Sequence, residues 1–261
     1  MKTRTRFCLW VVVVGFAFPN LALATHAWGP YHWARTGNPF TLSLGDNVSS
    51  AWDAYLSEAS LDWSRSAVFD STIVVGGTTP KRCRPKSGRV EVCNAIYGGN
   101  GWLGLAQIWI DGGNHITQGI VKLNDTYFNT ATYNTPGWRR LVMCQEPGHA
   151  LGLDHQDENS TNANLGSCMD YTNNPLGPPS NEHPNQHDYE QLDGIYAHVD
   201  SYVTLGYKAL GAPSLARNRA WRSGQWGRLI RSTHGGLTEL YEMDAGDGRH
   251  RVFTHVIWAQ E

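Results

Sequence analysis

Apolar and polar residues alternate over 40–44, the pattern of a half-buried strand. Asp46 and Asn47 then offer caps for a helix on which Val48, Trp52, Tyr55, Leu56, Ala59 and Trp63 recur at three-to-four spacing. A β-branched run over 68–75 stops at Gly76 and Gly77, and 90–96 reads as another strand. A longer apolar stretch, 102–110, follows Gly98, Gly99 and Gly101, and 116–123 is a further strand. Pro136 can open a helix that runs toward His149. A loop rich in Asn, Asp and Pro covers 156–185, and a last helix carries Tyr189, Leu192, Ile195, Tyr196 and Val199 on one face. After a linker over 201–222, short strands at 226–230, 237–243 and 252–258 predict a β meander within 223–261. Three strands are too few to stand alone, so the meander is expected to pack on a main domain of 25–200.

The first 24 residues fall outside this fold. Lys2, Arg4 and Arg6 precede an apolar run over 7–18, and Ala22, Leu23 and Ala24 form a small-x-small cleavage site. That is the build of a secretory signal peptide, and the run is too short to cross a bilayer. The mature chain is expected outside the cytoplasm, secreted or periplasmic, without a membrane anchor and as a monomer. Losing three cations leaves 18 Lys+Arg against 23 Asp+Glu, a net charge of −5 with no long basic run. Nucleic acid is excluded as a partner on that ground.

Export also changes how the cysteines read. Of five Cys, Cys8 leaves with the signal peptide. Cys83, Cys93, Cys144 and Cys168 remain, an even number that in an oxidising compartment implies two disulfides. Cys83 with Cys93 closes a short loop, which leaves Cys144 for Cys168. A four-cysteine zinc site lacks the C-x-x-C pairs it would need.

The chemistry concentrates in 144–155, which reads CQEPGHALGLDH. On a helix, positions 145 and 149 share a face one turn apart. Glu146 is rotated off that line, placed to serve a water rather than a metal. Gly152 lets the chain turn so that His155 comes back toward His149. Two imidazoles beside a carboxylate form a hydrolytic zinc site. His115, after the turn at 111–114, is by itself too few donors for a second metal.

This segment resembles the metzincin zinc metallopeptidases, most nearly the matrixins, with their pattern H-E-x-x-H-x-x-G-x-x-H and a Met-containing turn. Glu146, His149, Gly152 and His155 match, and Met169 in 167–171 occupies the Met-turn. The resemblance covers about 30–200; the tail lies outside it. Two positions depart. Gln145 stands where the family has its first His, and Pro147 interrupts the helix, where it should kink the backbone.

The resemblance implies an α+β fold with a twisted, mostly parallel sheet, an active-site helix and a C-terminal helix, the β meander being appended. It implies one catalytic Zn2+ held by His149 and His155, with Gln145 or Tyr171 as third protein ligand. Glu146 would be the general base, and Tyr171 either an oxyanion donor or a core tyrosine. The strand at 102–110 resembles the edge strand that receives an extended peptide, which would make Leu103, Gly104, Leu105 and Ala106 substrate-binding; an ordinary core strand is the other reading. The implied activity is endopeptidase cleavage of protein or peptide substrates. The alternative is a catalytically impaired module that grips peptides without cutting them.

Overall fold

The computed structural model describes residues 26–206, 226–233 and 236–260. The expected signal peptide and most of the expected linker lie outside the described residues. Among the described residues no helix is long and apolar enough to cross a membrane.

The chain runs β1 (His32–Trp33), β2 (Phe40–Asn47), α1 (Asp53–Trp63), β3 (Phe69–Val75), β4 (Arg89–Ala95), β5 (Trp102–Ile110), β6 (His115–Asn124), α2 (Asp125–Phe128), α3 (Pro136–Ala150), α4 (Gln186–Ile195), β7 (Arg228–Ser232), β8 (Thr238–Asp244) and β9 (Arg251–Trp258). All strands join one mixed sheet in the order β3-β2-β4-β6-β5-β9-β8-β7, with β1 paired to β6 outside that path. The fold is α+β. Within 25–200 the sheet is mostly parallel, four of its five strand pairs being so, and the tail strands make the whole sheet mixed. The pairs β2–β3, β2–β4, β4–β6 and β1–β6 are parallel, but β5–β6, β5–β9, β8–β9 and β7–β8 are antiparallel. The β5–β6 pair is antiparallel because a short turn joins the two strands; the other three antiparallel pairs come from the tail, a β7-β8-β9 meander whose last strand pairs along the full length of β5. Asp46 and Asn47 also fall inside β2 rather than at a helix cap, because both pair with neighbouring strands. α1 therefore starts one turn later than the apolar spacing indicates.

Burial of aromatic surface holds the helices to the sheet. Trp33, Trp52 and Trp63 are almost completely buried in one core with Leu103, Val142, Met143 and Met169. Their indole N–H groups are not wasted: Trp33 donates to the Ala150 carbonyl and Trp63 to that of Cys144, both on α3. Thr135 caps α3 and Pro136 occupies its first turn. The helix continues through Pro147 to Ala150. Gly104 lets it approach β5 closely, since a Cβ there would lie 2.6 Å from both Glu146 Oε1 and Val142 Cγ1.

Candidate metal centre

Two imidazoles from 149–155 meet a third from the distant strand β9. His149 comes from the last turn of α3. Gly152, at φ +99°, turns the chain, where a side chain would collide with the Tyr31 carbonyl 2.4 Å away. His155 is thereby carried back to 4.8 Å from His149, measured between ring centres. The third is His255 on β9, whose ring centre lies 3.8 Å from that of His149 and 4.5 Å from that of His155. One ligating nitrogen from each of the three falls within 4.8 Å of the others.

The protonation pattern favours a cation. The Nδ1 of His149 faces the Leu153 carbonyl at 2.9 Å, which can only accept, so the proton sits there and Nε2 keeps its lone pair. That Nε2, both ring nitrogens of His155 and Nδ1 of His255 are buried without a hydrogen-bond partner. Burial, followed by the charge of His155, drives the His149 pKa well below its usual value; burial and then His149 do the same to His255. Buried imidazole nitrogens without a partner are costly unless a metal takes their lone pairs. The donor set fits zinc, to which imidazole is a preferred ligand.

Glu146 lies one turn before His149 on α3, fully buried, with both carboxylate oxygens unpartnered. Burial pushes its pKa well above the ordinary carboxylate range. Gln145 is buried too, and its amide nitrogen has no partner. Met169 lies against α3, its sulfur 2.7 Å from where a Cβ on Gly148 would stand. Its backbone is locked on both sides: Met169 N–H donates to Ser167 Oγ at 2.8 Å, and Gln156 N–H donates to the Met169 carbonyl at 2.7 Å. The Tyr171 ring packs on His155, but its hydroxyl donates to the Leu237 carbonyl at 2.8 Å. Burial raises the pKa of this phenol.

Leu103, Gly104, Leu105 and Ala106 are not at an open edge. Their strand lies between β6 and β9, with Ala106 opposite His255 and Gly104 opposite Ile257. The reason is the apolar length of β9, buried from Val252 to Ile257, which finds in β5 an unpaired edge of matching length. His255 was not picked out by motif. The signal for it is alternation: His255 shares a strand face with Phe253 and Ile257, so it points into the core where an apolar residue is expected.

Arg231 on β7 secures the same cover by binding Asp154 and approaching Glu158 to 3.6 Å. A cleft of about 410 Å³ opens beside it, lined by His26, Asp154, His155, Glu158 and Arg231 among others. His155 is 6% exposed, against 0% for His149 and 1% for His255. The His155 side chain itself is fully buried, so among the described residues all three rings are closed off from this cleft.

The disulfides Cys83–Cys93 and Cys144–Cys168 both form. The second ties α3 to the turn carrying Met169 across a sequence separation of 24 residues. Replacing both Cys144 and Cys168 by Ser should lower the unfolding free energy by roughly 3 kcal/mol through loop entropy. A urea midpoint equal to the parent's would show that the bridge contributes nothing.

The same turn is supported by Asp188, which accepts from the Ser167 hydroxyl at 2.7 Å and from the Asn185 N–H at 2.7 Å. Burial outweighs these bonds and pushes its pKa up to about 6. Between that value and the unfolded pKa near 4, the folded chain binds more protons than the unfolded one. Stability from this group is therefore greatest at low pH and declines as pH rises from about 4 to 6. Asp188→Asn should remove that component. In denaturant titrations the parent-minus-variant difference should fall between pH 4 and 7, and a constant difference would contradict the assignment.

No family model matches the sequence, and no curated protein matches it. Among solved structures, two of myroilysin are similar at 14% identity, with TM-scores of 0.39 and 0.36. They cover 66% and 65% of this chain and 84% and 87% of their own. High choriolytic enzyme 1, a hatching enzyme zinc-protease from Oryzias latipes (medaka fish), is similar at 13% identity and a TM-score of 0.31, covering 64% of this chain and 94% of its own.

Proposed function

We propose that this chain is a secreted zinc-dependent endopeptidase whose site is closed by its own C-terminal strand. The observation that carries the reading is the meeting of unpartnered imidazoles of His149, His155 and His255, with the buried, unpaired Glu146 one turn before His149 on α3. His149, His155 and His255 hold the ion in the closed arrangement. When bound, zinc supplies Lewis acidity, polarising the scissile carbonyl and lowering the pKa of water.

An extended peptide pairs with a sheet edge through its backbone. β9 already lies antiparallel on β5, so a substrate strand takes its place only when β9 leaves. His255 departs with β9, and the freed position admits water, as a catalytic zinc site requires. His149 and His155 then remain, with the Gln145 amide oxygen as third protein donor. Entry of water lowers the pKa of Glu146 and frees its carboxylate. Glu146 takes the proton of the attacking water and returns it to the leaving amine. Met169 forms the apolar floor. Tyr171 is held to Leu237, a residue of the same tail, so release of the tail also frees its hydroxyl to donate to the oxyanion.

Closure also fits a second reading, a module that binds peptides without cutting them, because Glu146 is fully buried. A mixed peptide library separates the two. The full-length mature chain should cut it, lose cutting to a chelator and regain it with zinc. Zinc binding without any cleavage would leave only the binding module.

A further inference from the structure

A second cluster of imidazoles lies away from the first, where β1, the β5–β6 turn and the segment after α4 come together. Asp200 Oδ1 is 3.4 Å from His32 Nε2, 3.3 Å from His115 Nε2 and 3.6 Å from His198 Nε2. The Nε2 atoms of His32 and His198 are 3.1 Å apart. Four donors around one zinc at about 2.0–2.1 Å stand about 3.3 Å from each other in a tetrahedron. Four of the six edges span 3.1–3.6 Å, and the donor atoms of His32, His115 and Asp200 all lie within 4.8 Å of one another.

The outer partners leave the inward atoms free to ligate. His32 Nδ1 faces the Pro30 carbonyl at 2.9 Å, an acceptor only, so the ring proton sits there and Nε2 carries the lone pair. His115 Nδ1 meets the Tyr202 hydroxyl and lies 3.3 Å from Asp111 Oδ1, while that hydroxyl donates to Asp111 Oδ2 at 2.9 Å. Its proton is drawn outward as well. Asp200 Oδ2 is taken by the Arg35 backbone N–H and guanidinium, both at 3.1 Å, which aims Oδ1 at the imidazoles. Carboxylate or carbonyl partners behind metal-binding imidazoles are the usual support of such sites. With both rings neutral, lone pairs of His32 and His115 converge on an anionic oxygen, an arrangement relieved by a bound cation or a second ring proton.

We propose that His32, His115, His198 and Asp200 form a closed, structural zinc site, separate from the catalytic centre. It draws its ligands from three segments. It adds to the bonds that already fasten 196–204 onto 32–38, among them Asp200 N–H to Arg35 O, Thr204 N–H to Ala34 O and the Arg35 guanidinium to Asp200 and to the Tyr196 carbonyl. Three nitrogens and one oxygen, with no open position, suit zinc rather than calcium or magnesium. The His198 side chain is 53% exposed, so the ion enters there and truncation at that position leaves no cavity.

The inference does not depend on the peptidase reading. The test is zinc counted per chain after dialysis of the mature protein against zinc buffer, for the parent, His198→Ala, Asp200→Asn and His255→Ala. The parent should hold two ions. His198→Ala and Asp200→Asn should each hold one and lose part of the zinc-induced rise in Tm. A parent holding one ion that His198→Ala loses and His255→Ala keeps would support this site and overturn the catalytic centre. Zinc content equal to the parent's in both His198→Ala and Asp200→Asn would overturn this site, whatever the peptidase assay gives. Should one variant fail to fold, the parent stoichiometry and the other variant still decide.

Discussion

Glu146→Gln should lower peptide cleavage by about 10²–10⁴-fold while zinc content stays at the parental level. The substitution conserves volume, so α3 keeps its packing against Gly104 and Val142 of the same helix is undisturbed. What is lost is a basic oxygen. The amide cannot take a proton from water or return one to the leaving amine. None of the three imidazoles is altered, so zinc retention against a chelator series should match the parent. The measurement is initial rate on a peptide library at saturating zinc, with metal content read on the same samples. Cleavage at the parental rate would remove Glu146 from the mechanism.

His255→Ala should move two quantities in opposite directions. In the proposed site His255 is a ligand, and losing even an outer partner of a ligand costs about 10–100-fold in metal affinity, so losing the ligand itself should cost at least that. His255 also sits on the strand that fills the β5 edge. Its bond to zinc adds to the hold of β9, and removing it shifts the population toward the open arrangement. A link worth about 1.4 kcal/mol corresponds to a tenfold larger open fraction. Turnover at saturating zinc should therefore rise about tenfold although zinc binds more weakly. Rates measured over a range of free zinc separate the two effects. Weaker zinc with no gain in turnover would leave His255 a ligand and deny β9 its closing role.

Local pattern made most of the fold legible. The alternation at 40–44, the β-branched run at 68–75 and the apolar stripe on α1 each correspond to an element of the structure. So do the helix opened by Pro136 and the strands of the tail. Partner choice was not legible, because a strand's own residues do not say which edge it will find. β5 is apolar on both faces whether it is an edge or an interior strand, and only the arrival of β9 decides. The short β1 was missed for a related reason, since two residues carry no period.

The candidate site divides in the same way. Glu146, His149, Gly152 and His155 lie within ten residues, so spacing on a helix and one glycine turn brings them together. His255 lies 100 residues beyond His155, and sheet topology alone connects them. The second cluster was hidden more deeply. His32, His115, His198 and Asp200 have no mutual spacing, and each by itself reads as an ordinary polar residue beside a turn.

The central claim is the metal at the three imidazoles, and crystals of the mature chain grown with zinc test it most directly. Anomalous diffraction collected on either side of the zinc absorption edge should show a peak bounded by His149, His155 and His255, beside the carboxylate of Glu146. A map with no zinc peak among these side chains, at zinc concentrations that saturate the protein, would contradict the account.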